Sequence, residues 1–231
     1  MHPIVRWTRV RDNFPAEHAL QRLADHEKRK AASFRFASDR QSYCAAHFLL
    51  WSMIHDAFGP KPYQLIYGST GKPHVLMPYE RHIEVSLSHS NGFAAAGVTS
   101  AGRLGVDIES FGKTLALKEL EPLALSDRER TEFAHSVGHD RTDDVFLRRW
   151  TLKEAIVKAT GQGLAAGFQN FAVSILPPGL LTRAPDGSPS AEWQLDVTSV
   201  NGGILAVALH QATTQSFPFD VEEYVFPGDG R

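Results

Sequence analysis

The chain has a single cysteine, Cys44, among its 231 residues. That excludes an internal disulfide framework and any cysteine-rich zinc site, and it suits a reducing compartment. No apolar run approaches the roughly 20 residues needed to span a bilayer, and Met1 to Arg11 lacks the basic-then-apolar layout of a secretory leader. Positive charge is not in excess either. Twenty-four Lys+Arg stand against 26 Asp+Glu, a net charge of −2, so no basic field asks for a nucleic acid. Low-complexity segments are absent. What remains is ordinary globular composition, 42% hydrophobic and 22% charged. A chain of this length buries a core without staples, as one large domain or two small ones. The expectation is a soluble, cytoplasmic protein with neither nucleic acid nor membrane as a partner.

Hydrophobic patterning predicts strands over Ile4–Val10, Ile83–Leu87, Phe93–Val98 and Leu104–Ile108, with Ser88 to Gly92 as a turn signal. It predicts one charged helix over Glu17–Lys30 and a longer one over Ser38–Phe58, opened by Ser38-Asp39 and stopped by Gly59-Pro60. Later come a helix from Ser126 to about Ser136 with Glu129 completing a capping box, and a long helix from Thr142 to Thr160 stopped by Gly161. Strands over Phe171–Leu176, Trp193–Val197 and Gly203–Leu209 precede a tail, 211–231, expected to fray. The stretch FLLWSMIHDAFG (from Phe48) matches WTLKEAIVKATG (from Trp150), and GFAAAGV (from Gly92) matches GILAVAL (from Gly203), in apolar spacing. This suggests a duplicated α+β unit of roughly 105 residues with a ligand cleft between its copies.

The sharpest local feature is GVDIE, Gly105 to Glu109. On a strand, Asp107 and Glu109 share one face while Val106 and Ile108 share the other. Two carboxylates side by side repel unless a cation intervenes, and a hard, oxygen-liking ion such as Mg²⁺ fits. The plainer reading is a solvated strand end. A second feature is WTLKEAIVK, Trp150 to Lys158. At helical spacing, Leu152, Ala155, Ile156 and Ala159 form a core-facing stripe, while Trp150, Glu154 and Lys158 share another face. Alone, Glu154 and Lys158 read as an ordinary surface pair. Combined with Asp107 and Glu109, they supply a third carboxylate and a lysine able to neutralise a phosphoryl oxygen.

Anion-anchoring candidates lie upstream. Lys72 occupies the rigid turn Gly71-Lys72-Pro73, and Ser88-His89-Ser90 ends a strand beside Asn91-Gly92. His89 reads equally well as a structural histidine. The run EKRK, Glu27 to Lys30, with Arg35 and Arg40, is a local basic cluster that most simply forms a solvated helix end. No G-x-S-x-G elbow surrounds Ser86, Ser88 or Ser90, and His135 with His139 lacks the glutamate of HExxH, so neither a serine hydrolase nor a zinc peptidase is indicated.

GVDIE followed some 40 residues later by RWTLKEAIVKATGQGL, with SHS and GKP upstream, resembles the 4'-phosphopantetheinyl transferases, over roughly Glu27 to Leu164. Length and internal repetition point to the monomeric, surfactin-synthetase-activating (Sfp-type) branch. The resemblance implies a pseudo-twofold duplicated α+β fold of two similar α/β subdomains, 1–103 on the nucleotide side of coenzyme A and 104–210 carrying the metal carboxylates, then a tail 211–231. It implies transfer of the phosphopantetheine arm of coenzyme A to a serine of an apo acyl or peptidyl carrier protein, with release of adenosine 3',5'-bisphosphate. By motif, Asp107, Glu109 and Glu154 would ligate Mg²⁺, with Mn²⁺ as a substitute. Glu154 would accept the serine proton and Lys158 would stabilise the transferring phosphate. Lys72, Ser88 and His89, joined by Lys30, Lys28 and Arg40, would hold the 3'-phosphate and adenosine end. Glu129 matches an acidic position often near the metal, and Trp150 would pack and orient its helix. Two positions depart from the family. Ser42 stands where an arginine is usual, with Arg40 as candidate substitute, and Leu50-Trp51 replaces Leu-Arg.

Two other classes use the same residues: a Mg²⁺-dependent phosphohydrolase with water as nucleophile, and a non-catalytic carrier-binding module. Phe111 to Leu125, a lysine-fringed apolar segment, is either a docking surface for an acidic carrier or an ordinary amphipathic helix.

Overall fold

Residues 93–99 are buried at every position, and the reason defines the architecture. Ala94, Ala96 and Val98 face one core while Phe93 and Ala95 face another, so the strand has no wet side and reads as a continuous apolar run. The structure, a computed structural model, describes residues 1–11, 14–59, 63–77, 82–111, 117–136, 142–212 and 216–226. It is mixed α/β. In chain order the elements are β1 (Ile4–Arg9), α1 (Ala16–Arg22), α2 (Asp25–Ala32), α3 (Ala37–Phe58), β2 (Gln64–Tyr67), β3 (Pro73–Leu76), β4 (Glu84–Ser90), β5 (Phe93–Thr99) and β6 (Arg103–Ser110). Then follow α4 (Leu117–Ala124), α5 (Asp127–Ser136), α6 (Thr142–Thr160), β7 (Val173–Ile175), β8 (Pro178–Leu180), β9 (Trp193–Val200), β10 (Gly203–His210) and β11 (Asp220–Glu223).

One sheet has the order β11-β1-β5-β4 and a second the order β6-β10-β9. Helix α3 packs on the outer face of the first through Leu49, Leu50, Met53 and Ile54. The inner faces meet through Val5, Trp7, Phe93 and Ala95 on one side and Leu104, Val106, Ile108, Leu205 and Val207 on the other. Helix α6 covers the second sheet's outer face, where Leu152, Ala155, Ile156 and Ala159 are fully buried against Ile204, Ala206 and Ala208. The predicted stripe is thus the core-facing one, and burying Leu152 and Ile156 contributes about 2 kcal/mol each. The order of layers is helix, sheet, sheet, helix.

Several expectations change. The single helix over Glu17–Lys30 is two, α1 and α2, because Leu23 and Ala24 are extended. Leu23 is pulled into the core, and the Glu27 carboxylate accepts the Ala24 N–H at 2.8 Å, restarting the helix there. Ser38 is not the cap of α3. The N-cap is Phe36, with no side-chain bond, and the Ser38 carbonyl instead accepts from Ser42 Oγ. The turn at 68–72 closes a hairpin whose second strand, β3, was not expected. Likewise β8, between the expected strands over Phe171–Leu176 and Trp193–Val197, pairs with β7. Within the tail, β11 pairs parallel with β1, and Phe226 is buried against Phe14 and Phe48, so those residues are docked rather than frayed. Cys44 is buried, which pushes its thiol up to about 11. No helix among the described residues is long and apolar enough to cross a membrane.

Candidate active site at the seam between the sheets

Strands β4 and β6 are the facing edges of the two sheets and run side by side in the same direction. No backbone ladder joins them. Serine hydroxyls do: Ser86 Oγ accepts the Val106 N–H at 2.9 Å and Ser88 Oγ accepts the Ile108 N–H at 3.2 Å. Helix α6 comes down close over β6 because residue 105 is glycine. A Cβ there would lie 1.8 Å from the Ala155 carbonyl oxygen. That approach brings the end of α6 over Asp107.

Lys158 Nζ donates to Asp107 Oδ1 at 2.7 Å and to Ser88 Oγ at 2.8 Å, while Ser88 Oγ donates to the same Asp107 oxygen at 2.7 Å. The Ser88 hydroxyl therefore uses its one donor and both acceptor positions. Asp107 is 4% exposed, and its other oxygen, Oδ2, is buried with no hydrogen-bond partner among the described residues. Burying a carboxylate oxygen without a partner is costly, so an open acceptor here points to something bound. Glu109 lies two residues along the same face and accepts from Ser90 Oγ. Glu154 and Lys158 line a cleft of about 250 Å³ together with Lys72 and the turn before it. Among the described residues, no group of three or more His, Cys, Asp or Glu is gathered tightly enough to hold a metal ion, and the Lys158 ammonium is the cation against Asp107.

Lys72 reaches this cleft, but its ammonium is engaged. It donates to the Ala159 carbonyl at the C-terminal end of α6 at 2.7 Å and pairs with Glu84 at 2.9 Å. His89 faces away from Asp107 onto Phe34 and Tyr43, with ring centroids 5.7 and 5.6 Å away. Burial, aided by the nearby Lys158 charge, pushes its imidazole down to about 4, so it is neutral at pH 7. Lys30 Nζ lies 5.4 Å over the Phe34 ring, so Lys30 and His89 both lie against Phe34. Arg40 is exposed near the start of α3, and Lys28 is 3.7 Å from Asp25. Ser42 is buried and accepts the Gly92 N–H at 3.2 Å, so the family's arginine position here supports the β4–β5 turn.

Two neighbouring acidic residues, Glu129 and Glu27, do not lie at the metal or on a solvated helix end. Glu129 is fully buried: Oε2 accepts from the Ser126 N–H, the Ser126 hydroxyl and Lys153 Nζ, and Oε1 accepts from the Val173 N–H at 2.9 Å. It is the capping box, with a buried counter-ion added. Lys153 itself was missed. It donates also to the Ala124 and Phe168 carbonyls, tying α4, α5 and the segment after α6 together. Its place beside the buried stripe of α6 was the available signal. Glu27 is no part of a solvated basic end. It is buried against His47 at 3.2 Å and Tyr67 at 3.0 Å. A larger hollow of about 520 Å³ lies over that pair but touches none of the predicted site residues, and both Glu27 oxygens are bonded. Trp150 packs between Phe146 and Phe168, as an orienting residue should. Residues 112–116 of the lysine-fringed segment, and His139, lie outside the described residues.

A buried carboxylate with one oxygen open, next to a lysine at the mouth of a cleft, manages negative charge in the way group transfer at phosphorus requires. Such an arrangement suits a transferase acting on a phosphate-linked group. A family model of the 4'-phosphopantetheinyl transferase superfamily matches residues 103–208, from the start of β6 nearly to the end of β10. The 4'-phosphopantetheinyl transferase HetI of Nostoc is 31% identical over 168 residues, covering 71% of this chain and 70% of the relative. The 4'-phosphopantetheinyl transferase psf-1 of Bacillus pumilus is 29% identical over 175 residues, 72% of this chain and 71% of the relative. That of Bacillus subtilis is 25% identical over 178 residues, 74% and 75% of the two chains. The chain belongs to the 4'-phosphopantetheinyl transferase superfamily.

Proposed function

We propose that the enzyme moves the phosphopantetheine arm of coenzyme A onto a serine hydroxyl of an apo acyl or peptidyl carrier protein, releasing adenosine 3',5'-bisphosphate. The observation that carries the assignment of roles is Asp107. One oxygen is saturated by Ser88 and Lys158, and the other is buried and open. An all-oxygen donor set with an unpartnered carboxylate oxygen fits Mg²⁺ or Mn²⁺. Asp107, Glu109 and Glu154 would hold the ion, which supplies charge neutralisation at the pyrophosphate of the bound nucleotide.

The chain's own residues do the rest. Lys158, 29% exposed and able to leave Asp107 for an incoming anion, neutralises the oxygens of the phosphate under attack. Glu154, in the cleft wall one helical turn before it, accepts the proton of the attacking serine. Lys30 and the neutral His89 ring, both against Phe34, receive the nucleotide end with Arg40. Lys72 closes the cleft from the opposite side while holding α6. The reading includes two subdomains, 1–103 and 104–210, related by duplication in a monomer of the surfactin-synthetase-activating type. Its support is that each half sets one long helix across three antiparallel strands, β1, β5 and β4 in the first and β6, β10 and β9 in the second.

Intact mass spectrometry of an apo carrier incubated with the enzyme, coenzyme A and Mg²⁺ tests this. A gain of one phosphopantetheine, lost with EDTA, is the expected result. Breakdown of coenzyme A without any carrier gain assigns a phosphohydrolase instead. Intact coenzyme A and unmodified acyl and peptidyl carriers assign a binding module.

A further inference from the structure

Three serines alternate along β4, and they do three different jobs at the seam. Ser86 serves only the backbone, accepting the Val106 N–H. Ser88 serves both backbone and side chain, accepting from Ile108 and donating to Asp107. Ser90 serves a side chain, donating to Glu109 Oε2. All three are buried. The edge N–H groups of β6 would pair with carbonyls in an ordinary sheet. Here a hydroxyl stands between the strands, which keeps the edges apart and lets the two carboxylates of β6 be gripped from the neighbouring sheet.

We propose that Ser90 is a positioning residue for Glu109: its hydroxyl, fixed on the rigid edge of one sheet, sets the carboxylate of the other sheet in the orientation a divalent cation needs. This rests on the reading of Glu109 as a metal ligand. Two features carry it. Asp107 and Glu109 are like charges on one buried face, so each needs a donor to hold it in place before a cation arrives, and β4 supplies one to each. The donors come from across the seam, so the carboxylates move with the junction of the two sheets and not with β6 alone. The turn that follows is held as well: Ser42 accepts the Gly92 N–H and Asn91 Nδ2 donates to Ser110 Oγ at 3.2 Å, fixing the end of β4 where Ser90 stands.

The test titrates Mn²⁺ into the full-length protein by calorimetry, for wild type, Ser90→Ala, Ser90→Thr, Ser86→Ala and Glu109→Gln, with the KM for coenzyme A measured alongside. Loss of an outer hydrogen bond to a ligand weakens metal binding by about 10–100-fold. Ser90→Ala is expected in that range, with KM for coenzyme A unchanged once Mn²⁺ is saturating, and Ser90→Thr, which keeps the hydroxyl, recovers most of the affinity. Ser86→Ala lowers the melting temperature but binds Mn²⁺ as wild type does. Should the alanine variant fail to fold, Ser90→Cys keeps the volume with a weak donor and is expected to bind Mn²⁺ more weakly than wild type. Wild-type Mn²⁺ affinity in Ser90→Ala or Ser90→Cys overturns the proposal. If Glu109→Gln is weakened in that case, only the positioning role has failed; if it too is unchanged, the metal reading of Glu109 has failed with it.

Discussion

Helix α6 carries two lysines that each meet a carboxylate from another element, and the two pairs have opposite characters. Lys153 and Glu129 are fully buried, and every polar atom between them is spent on Ser126, Val173, Ala124 or Phe168. Lys158 and Asp107 stand at a cleft, with the lysine partly exposed and one carboxylate oxygen left open. The first pair is finished and the second is not. A saturated ion pair inside a protein has no valence left for a ligand and acts as a joint between elements. An unsaturated one retains an unmet demand for a cation or a donor, which is what a binding site offers. The difference matters because the residue types alone, lysine with acid, are the same.

Breaking the saturated pair should have the largest effect. Lys153→Met strands the Glu129 carboxylate without its counter-charge and is expected to cost about 3–5 kcal/mol of stability, read from the urea midpoint. Adding Glu129→Leu should restore most of it. A loss under about 1 kcal/mol in the single variant would remove the contrast.

Opening the unsaturated pair should damage transfer instead. Asp107→Asn is expected to lower kcat/KM by roughly 10²–10³-fold with a near-native melting temperature, measured by carrier mass gain and by calorimetry side by side. Lys158→Met should cut transfer by about tenfold or more and cost clearly less stability than Lys153→Met, because water reaches the lysine end of this pair. If Lys158→Met proved as destabilising as Lys153→Met, the two pairs would be the same kind of object.

The smallest effect is one of pH. The His89 imidazole is held near 4, against an ordinary 6.5, by burial and by Lys158. As pH falls below 6.5 the unfolded chain takes up this proton before the folded one does, so the stabilisation is complete above 6.5 and is lost as pH drops toward 4. His89→Gln should flatten that part of the stability curve, seen in melting temperatures between pH 7 and 4. An unchanged slope would mean the ring is already charged or solvated.

How much of this could be read from the sequence depended on how local the cause was. The bounds of α6 were legible because a strong apolar period ends at Gly161, whose φ of +72° turns the chain out of the helix. Asp107 and Glu109 on one face followed from strand geometry, and the Ser126–Glu129 cap from four adjacent residues. The partner of Glu129 did not, because Lys153 arrives from the next helix but one turn of packing decides it. Lys72 looked like a free anion anchor in a turn, yet its partners, Ala159 and Glu84, come from distant parts of the chain. Strand β11 was unreadable for the same reason: its four residues become a strand only against β1. The alternation of Ser86, Ser88 and Ser90 was visible, but its use was not, since period 2 shows that residues share a face and not what that face meets.

The central claim is that the open pair takes a cation at Asp107, and thermal melting with coenzyme A and Mg²⁺ tests it most directly. Ligand binding stabilises a fold by mass action, by about 2.7 kcal/mol at a hundredfold excess over Kd. The account predicts that Mg²⁺ with coenzyme A raises the melting temperature of the wild type and of Glu27→Gln measured against its own baseline, while Asp107→Asn shows little or none of the Mg²⁺-dependent part. An equal Mg²⁺-dependent rise in Asp107→Asn would contradict it.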